Sequence, residues 1–142
     1  MNIRPFRDTD FAAVMDIYAQ AKLDELHYEE KEFELLPLQC DPLRLGRLLE
    51  STIFVYEDNQ ILGYGAFCGQ EIRALFVLPN SRRQGVGRAI LKHLMANIAG
   101  AICLNAVASN YPARKLYAQF GFNIAETFAA DYNGQAVVVN KM

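Results

Sequence analysis

The stretch from Glu71 to Leu91, EIRALFVLPNSRRQGVGRAIL, constrains the fold more than any other part of this 142-residue chain. It opens with strand-forming residues and closes on the start of an apolar helical stripe, with Pro79, Arg82, Arg83, Gly85, Gly87 and Arg88 between. That order predicts a strand, a glycine-punctuated basic loop and a helix start. Two glycines let the backbone approach a ligand closely, and a helix start presents unpaired N–H groups with partial positive charge. Such a loop is a seat for a phosphorylated ligand. The alternative is a solvated basic turn capping an ordinary helix. The loop lacks the GK[ST] of a Walker A sequence and the spacing of a GxGxxG dinucleotide fingerprint.

The flanking elements follow from periodicity and turn chemistry. Asn2 to Phe6 predicts a short edge strand, and Asp8 or Asp10 is a candidate cap for a helix carrying Phe11, Val14, Ile17 and Tyr18. Leu43 to Glu50, after Pro42, predicts a second helix. Thr52 to Glu57, Ile61 to Phe67 and Glu71 to Leu78 are joined by turns too short for anything but an antiparallel meander. Gly63 and Gly65 inside the second of these strands imply a bulge or a close backbone approach. Val86, Ile90, Leu91, Leu94, Met95 and Ile98 form one helical stripe, with Gly100 as its stop. Ala101 to Ala106 predicts a buried strand, reached by a right-handed crossover onto a parallel neighbour. Ser109 or Asn110 is a candidate cap for a helix carrying Ala113, Leu116, Tyr117 and Phe120 and ending at Gly121. Phe122 to Ala130 and Gln135 to Lys141 predict a hairpin around Asn133-Gly134. The fold class is therefore mixed α/β (α+β), a single domain over residues 1–142, with about seven strands and about four helices.

Composition narrows the function class. Half the residues are hydrophobic, so the chain is not disordered by composition, and a formal charge of −2 argues against a general nucleic-acid binder. The apolar runs are too short for a membrane span and the N-terminus lacks a signal-peptide core, which predicts a cytoplasmic protein. Cys40, Cys68 and Cys103 show no CxxC spacing and read as reduced thiols; Cys68 and Cys103 are placed inside strands and His93 on an exposed helix face. His27 and His93 lack partners at metal-ligand spacing, so no metal is implied.

Leu75-Phe76-Val77-x-Pro79, followed by Arg82-Arg83-Gln84-Gly85-Val86-Gly87-Arg88, resembles motif A of the GNAT superfamily of acyl-CoA-dependent N-acyltransferases. Its pattern [RQ]-x-x-G-x-[GA] is supplied by Arg82, Gly85 and Gly87, and Asn110 with the segment Leu116 to Phe122 resembles the family's C-terminal motif. The order of elements matches that fold over essentially the whole chain. The resemblance implies acetyl-CoA as acyl donor, its pyrophosphate on the backbone amides of Arg83, Gln84, Gly85, Val86, Gly87 and Arg88, with Arg82 a further phosphate contact. It places the pantetheine arm beside Leu75, Phe76 and Val77 and gives Asn110 a contact to the pantetheine or acyl end. The partner would be a small-molecule amine or the amine of a peptide or protein, and a homodimer is compatible with the terminal hairpin.

Transfer to an amine requires deprotonating an ammonium and protonating a leaving thiolate. By resemblance the acid is Tyr117, which as a member of an apolar stripe also fits a core tyrosine. Glu71, six residues before Val77, resembles the general base of some members; the other reading is a strand-start residue paired with Arg73. Strict alternation would set Glu71, Arg73, Leu75 and Val77 on one face, and a bulge would break that count. Other members carry a glutamate where Asn105 stands here, and an amide cannot serve as a base. The N–H of Val77 is the implied oxyanion donor. Asn110 has helix capping as its second possible role. The acidic stretch from Asp24 to Glu34 lies where the fold covers the acceptor. It reads as a solvated helix face, or else as an entry lined for cationic acceptors. A non-catalytic acyl-CoA-binding or interaction module on the same fold is the competing function.

Overall fold

Alternating and β-branched segments assemble into one seven-stranded sheet in a computed structural model that describes residues 2–142. The order along the chain is β1 (Ile3–Pro5), α1 (Phe11–Ala21), α2 (Pro42–Leu49), β2 (Thr52–Asp58), β3 (Gln60–Cys68), β4 (Glu71–Val77), α3 (Val86–Ala96), β5 (Cys103–Val107), α4 (Tyr111–Gln119), β6 (Glu126–Tyr132) and β7 (Gln135–Lys141). The sheet runs β1-β2-β3-β4-β5-β7-β6, antiparallel except for the β4–β5 pair. Short turns produce the β2–β3–β4 meander, and the α3 crossover makes β4 and β5 parallel. Asn133 and Gly134 both have positive φ, 49° and 84°, as a two-residue type I′ hairpin requires.

The two sheet faces carry separate cores. Ile90, Leu91 and Leu94 of α3 pack on one face with Ile72, Leu104 and Phe122. Val14, Ile17 and Tyr18 of α1 pack on the other with Val55, Tyr64 and Ala66. Gly63 and Gly65 serve a close approach. A Cβ on Gly65 would lie 2.6 Å from Ile90 Cγ2 and 2.8 Å from Leu94 Cδ1, and one on Gly63 would lie 2.8 Å from the Phe76 carbonyl oxygen. Gly65→Ala is therefore expected to cost about 1–3 kcal/mol through overpacking, read as a lower Tm with an unchanged fold.

Several boundaries differ from the sequence reading. α3 stops at Ala96 rather than near Gly100, because Asn97 is its C-cap and donates Nδ2 to the His93 carbonyl at 2.8 Å. β6 begins at Glu126, four residues later than predicted. Neither Asp8 nor Asp10 caps α1 through its side chain. Asp10 is buried instead, where Arg4 donates to both its oxygens at 2.8 and 2.9 Å; this guanidinium holds its carboxyl below the usual range. Cys68 and Cys103 sit at strand ends and are half-buried, and His93 is half-buried edge-on to Phe54 rather than exposed.

Candidate active site

The sheet opens where β4 and β5 part. They pair only at Glu71–Cys103 and Ile72–Leu104; beyond that β4 continues to Val77 while β5 pairs through Asn105, Ala106 and Val107 with β7. The register against β3 decides which backbone groups face the opening. Leu78 N–H bonds the Leu62 carbonyl, so Phe76 and Tyr64 form a hydrogen-bonded pair, and Leu75 and Val77 lie in non-hydrogen-bonded pairs with Gly65 and Gly63. The N–H and C=O of Leu75 and Val77 therefore point away from β3 toward the gap. Phe76 contributes its ring to the opposite face and its backbone to β3, a refinement of the expectation that all three present backbone groups.

Beyond the strand, Pro79–Ser81 forms a single tight turn, and Arg83 (φ 64°) and Gly85 (φ 81°) adopt left-handed backbone. Alternating hand turns successive N–H groups toward one side. Among the described residues, the amides of Arg83, Gln84, Gly85, Val86, Gly87 and Arg88 donate no backbone hydrogen bond; Ala89 is the first to do so, to the Gly85 carbonyl at 2.9 Å. The apolar stripe fixes this amide cluster at the end of α3 by burying Val86 and Ile90. The arginines are less uniform than the motif implies. Arg82 donates to Asp24 at 2.6 Å and to the Val77 carbonyl at 3.4 Å, whereas Arg88 is bonded to Gln119 and stacks on Phe120.

A cavity of about 380 Å³ occupies the opening, and Leu75, Phe76, Asn105, Asn110, Glu71 and Tyr117 are among its walls. Tyr117 is buried, edge-on to Phe122 at 6.0 Å, and burial pushes its hydroxyl well above the usual tyrosine range, with Glu25 adding to the shift. Asn110 starts α4 without a side-chain capping bond and is one of the residues lining the cavity. Glu71 is a half-buried ion-pair node: its Oε1 accepts from Arg47 at 3.2 Å and from Arg73 at 3.0 Å. A bulge at Arg73 interrupts the alternation, since Ala74 and Ile72 oppose the consecutive residues Ala66 and Phe67. Leu75 and Val77 consequently pack toward α3, while Glu71 reaches Arg47 of α2; the four residues do not share one face.

The acidic stretch is not a helix face: Asp24, Glu25 and Glu29 hold side-chain partners, while Glu30, Glu32 and Glu34 are exposed with no side-chain partner among the described residues. Only Lys22–Leu26 is helical, as a 3₁₀ turn, and the rest forms a strap across the site. Asp24 bonds Arg82, Glu25 bonds Lys22, and Glu29 accepts from Ser109. Lys31 donates to the Ala136 carbonyl, Gln135 to that of Glu32, Asn133 to that of Glu34, and the Leu36 N–H to the Tyr132 hydroxyl. The sequence reading missed Tyr18, Lys22, Arg44 and Tyr132, all of which line the cavity. Tyr18 was legible only as one more member of an apolar stripe, and Lys22 stands four residues on, one helical turn away.

The sequence model of the acetyltransferase (GNAT) domain matches residues 50–124, slightly more than half of the chain. Peptidyl-lysine N-acetyltransferase YjaB of Escherichia coli (strain K12) is 30% identical over 83 residues, which are 58% of this chain and 56% of that protein. The match thus spans about half the length of that curated relative. The solution structure of apo YjaB superposes with a TM-score of 0.72 at 22% identity, covering 98% of this chain and 93% of that one. An N-acetyltransferase from Staphylococcus aureus Mu50 gives 0.71 at 21% over 99% and 96%. The yncA protein of Salmonella typhimurium, solved with its cofactor acetyl-CoA, gives 0.70 at 20% over 99% and 91%. The parted strands and the amide cluster are thus met in a chain that belongs to the GNAT acetyltransferase family.

Proposed function

We propose that the chain transfers the acetyl group of acetyl-CoA to an amine by direct attack in a ternary complex. The observation that carries this reading is the juxtaposition of six undonated amides at the start of α3 with an open strand edge on β4. Amides at a helix start suit a diphosphate, and an open strand edge suits an amide-bearing arm that pairs as another strand would. The donor supplies an activated thioester; the chain supplies binding, orientation and proton positions. In this reading Arg83 to Arg88 hold the diphosphate through their backbone, Leu75 and Val77 pair with the arm, and Asn110 orients its far end. Of the two open donors on β4, the Leu75 N–H lies further from the diphosphate seat and faces the carbonyl oxygen on which negative charge builds. Tyr117 delivers the proton that the departing thiolate takes up.

Glu71 receives the acceptor's proton, directly or through water, at the carboxylate oxygen that Arg47 and Arg73 leave to it. Glu71→Gln is expected to lower kcat/KM by about 10²-fold with the affinity for acetyl-CoA unchanged. An unchanged kcat/KM with only a lower Tm would make Glu71 an ion-pair anchor. The reading as a whole is tested by thiol release from acetyl-CoA with a panel of amines. Binding of acetyl-CoA without amine-dependent turnover would favour a non-catalytic binding module.

A further inference from the structure

A primary amine of the chain itself already stands inside the cavity. Lys31, Lys92, Lys115 and Lys141 are exposed, and among the described residues Lys22 is the one lysine that lines the cavity. It lies where α1 gives way to the strap, and its side chain is only 14% exposed. Three walls of the cavity surround its ammonium. Nζ is 5.2 Å from the ring centroid of Tyr132 and 5.9 Å from those of Tyr18 and Phe76. Contact with three rings holds the head group inside, where a surface lysine would extend it to water.

Its neighbours suit this amine to acyl transfer. One of the rings that hold it belongs to Phe76, the residue next to the open Leu75 N–H. The Glu25 carboxylate accepts from Nζ at 2.8 Å and is placed to take its proton. Leu75, Asn110 and Tyr117 border the same space as Lys22, and four methylenes let Nζ cross it by rotamer changes. A tethered amine also reacts at an effective concentration far above that of a dissolved one.

We propose that Lys22 is a site of self-acetylation, its Nζ receiving the acetyl group of acetyl-CoA bound to the same chain. This rests on the acetyl-transfer reading and adds a modification site to it. Glu25 takes one proton from the Lys22 ammonium, Nζ bonds to the thioester carbonyl carbon, and the carbon–sulfur bond breaks. The departing thiolate takes the Tyr117 proton. Nζ sheds its second proton as the amide forms, which replaces the one Tyr117 gave, so the products are acetyl-lysine and coenzyme A. The product cancels the Lys22 charge and leaves the Glu25 carboxylate without its cation. The Tyr18 hydroxyl, buried and without a hydrogen-bond partner among the described residues, is a donor free for the new acetyl oxygen.

The test incubates the full chain with acetyl-CoA carrying a deuterated acetyl group, without added amine, and maps every lysine by peptide mass spectrometry. Lys22 is expected to take up label at least about 10-fold faster than Lys31, Lys92, Lys115 or Lys141. Its rate per chain should not change with protein concentration, because the reaction is internal. At sub-saturating donor, Gly87→Leu should slow the uptake by roughly 100-fold, in step with its loss of affinity. Glu25→Gln should slow it by about 10²-fold, and an undiminished rate there would overturn the step as written. Label spread evenly over the lysines, uptake at Lys22 as fast in Gly87→Leu, or a rate that rises with protein concentration would overturn self-acetylation. So would an unlabelled Lys22 in a chain that turns over added amines, and acetyl transfer would then stand without it. Calorimetric binding of acetyl-CoA with neither label on Lys22 nor turnover of any amine would remove both readings together.

Discussion

Tyr117→Phe is expected to lower kcat by about 10²–10³-fold with the affinity for acetyl-CoA unchanged, because only the proton delivered to the leaving thiolate is removed. The substitution removes one hydroxyl and leaves the ring packed in the core beneath α3, so the fold should keep its Tm. The pH dependence gives an independent check. Burial raises the Tyr117 pKa in the folded state above its unfolded value near 10, so the group holds its proton throughout the neutral and mildly alkaline range. The sign for stability follows. Stability is fully present below the unfolded pKa and is lost as pH rises from there through the folded value. Tyr18 and Tyr64 are raised by burial in the same way, so alkaline unfolding should steepen above about pH 10. Tyr117→Phe should make that alkaline limb shallower. A variant with wild-type kcat across the profile would return Tyr117 to the role of a core residue.

Gly87→Leu should separate binding from stability. A Cβ at Gly87 would meet only Val77 Cγ2, at 3.6 Å, which is ordinary contact, and leucine is a better helix former than glycine by up to about 1 kcal/mol. The variant is expected to fold with an unchanged or higher Tm. Its side chain would stand beside the undonated amides and keep a diphosphate from reaching them. Loss of two charge-assisted hydrogen bonds corresponds to about 3 kcal/mol, or roughly 100-fold in Kd for coenzyme A by calorimetry. Gly85 is a poorer probe. Its φ of 81° penalises any L side chain, so a loss of affinity there would be mixed with backbone strain. Retained affinity in Gly87→Leu would dissociate the loop from phosphate binding.

The sequence carried the periodic and punctuated parts of the fold. The α3 stripe, the Asn133-Gly134 turn and the short links of the meander are local signals, and each leads to one geometry. The amide cluster was legible for the same reason: Arg83 to Arg88 sit together whatever the rest of the chain does. The bulge at Arg73 was not legible, since nothing in EIRALFV distinguishes an extra residue from regular alternation. It decides that Glu71 looks toward Arg47. The strap's charges suggest solvent, and Asp24, Glu30, Glu32 and Glu34 are exposed, but its fixed points are partners up to about a hundred residues away, such as Ser109, Tyr132 and Ala136, which leave no local signal. Tyr18 and Lys22 gain chemical meaning only once α1 is laid against the opening between β4 and β5.

Gly65, two strands from the opening, also governs how accurately the donor is held. With no side chain beneath Ile90 and Leu94, α3 rests directly on β3, so the pitch of the helix axis is set by backbone contact rather than by a deformable side chain. The amide cluster is the tip of that axis. A methyl group at Gly65 would lift the helix like a wedge under a lever and re-aim donors it never touches. The alignment of the candidate phosphate seat is thus determined on the far side of the helix, in the floor of the sheet.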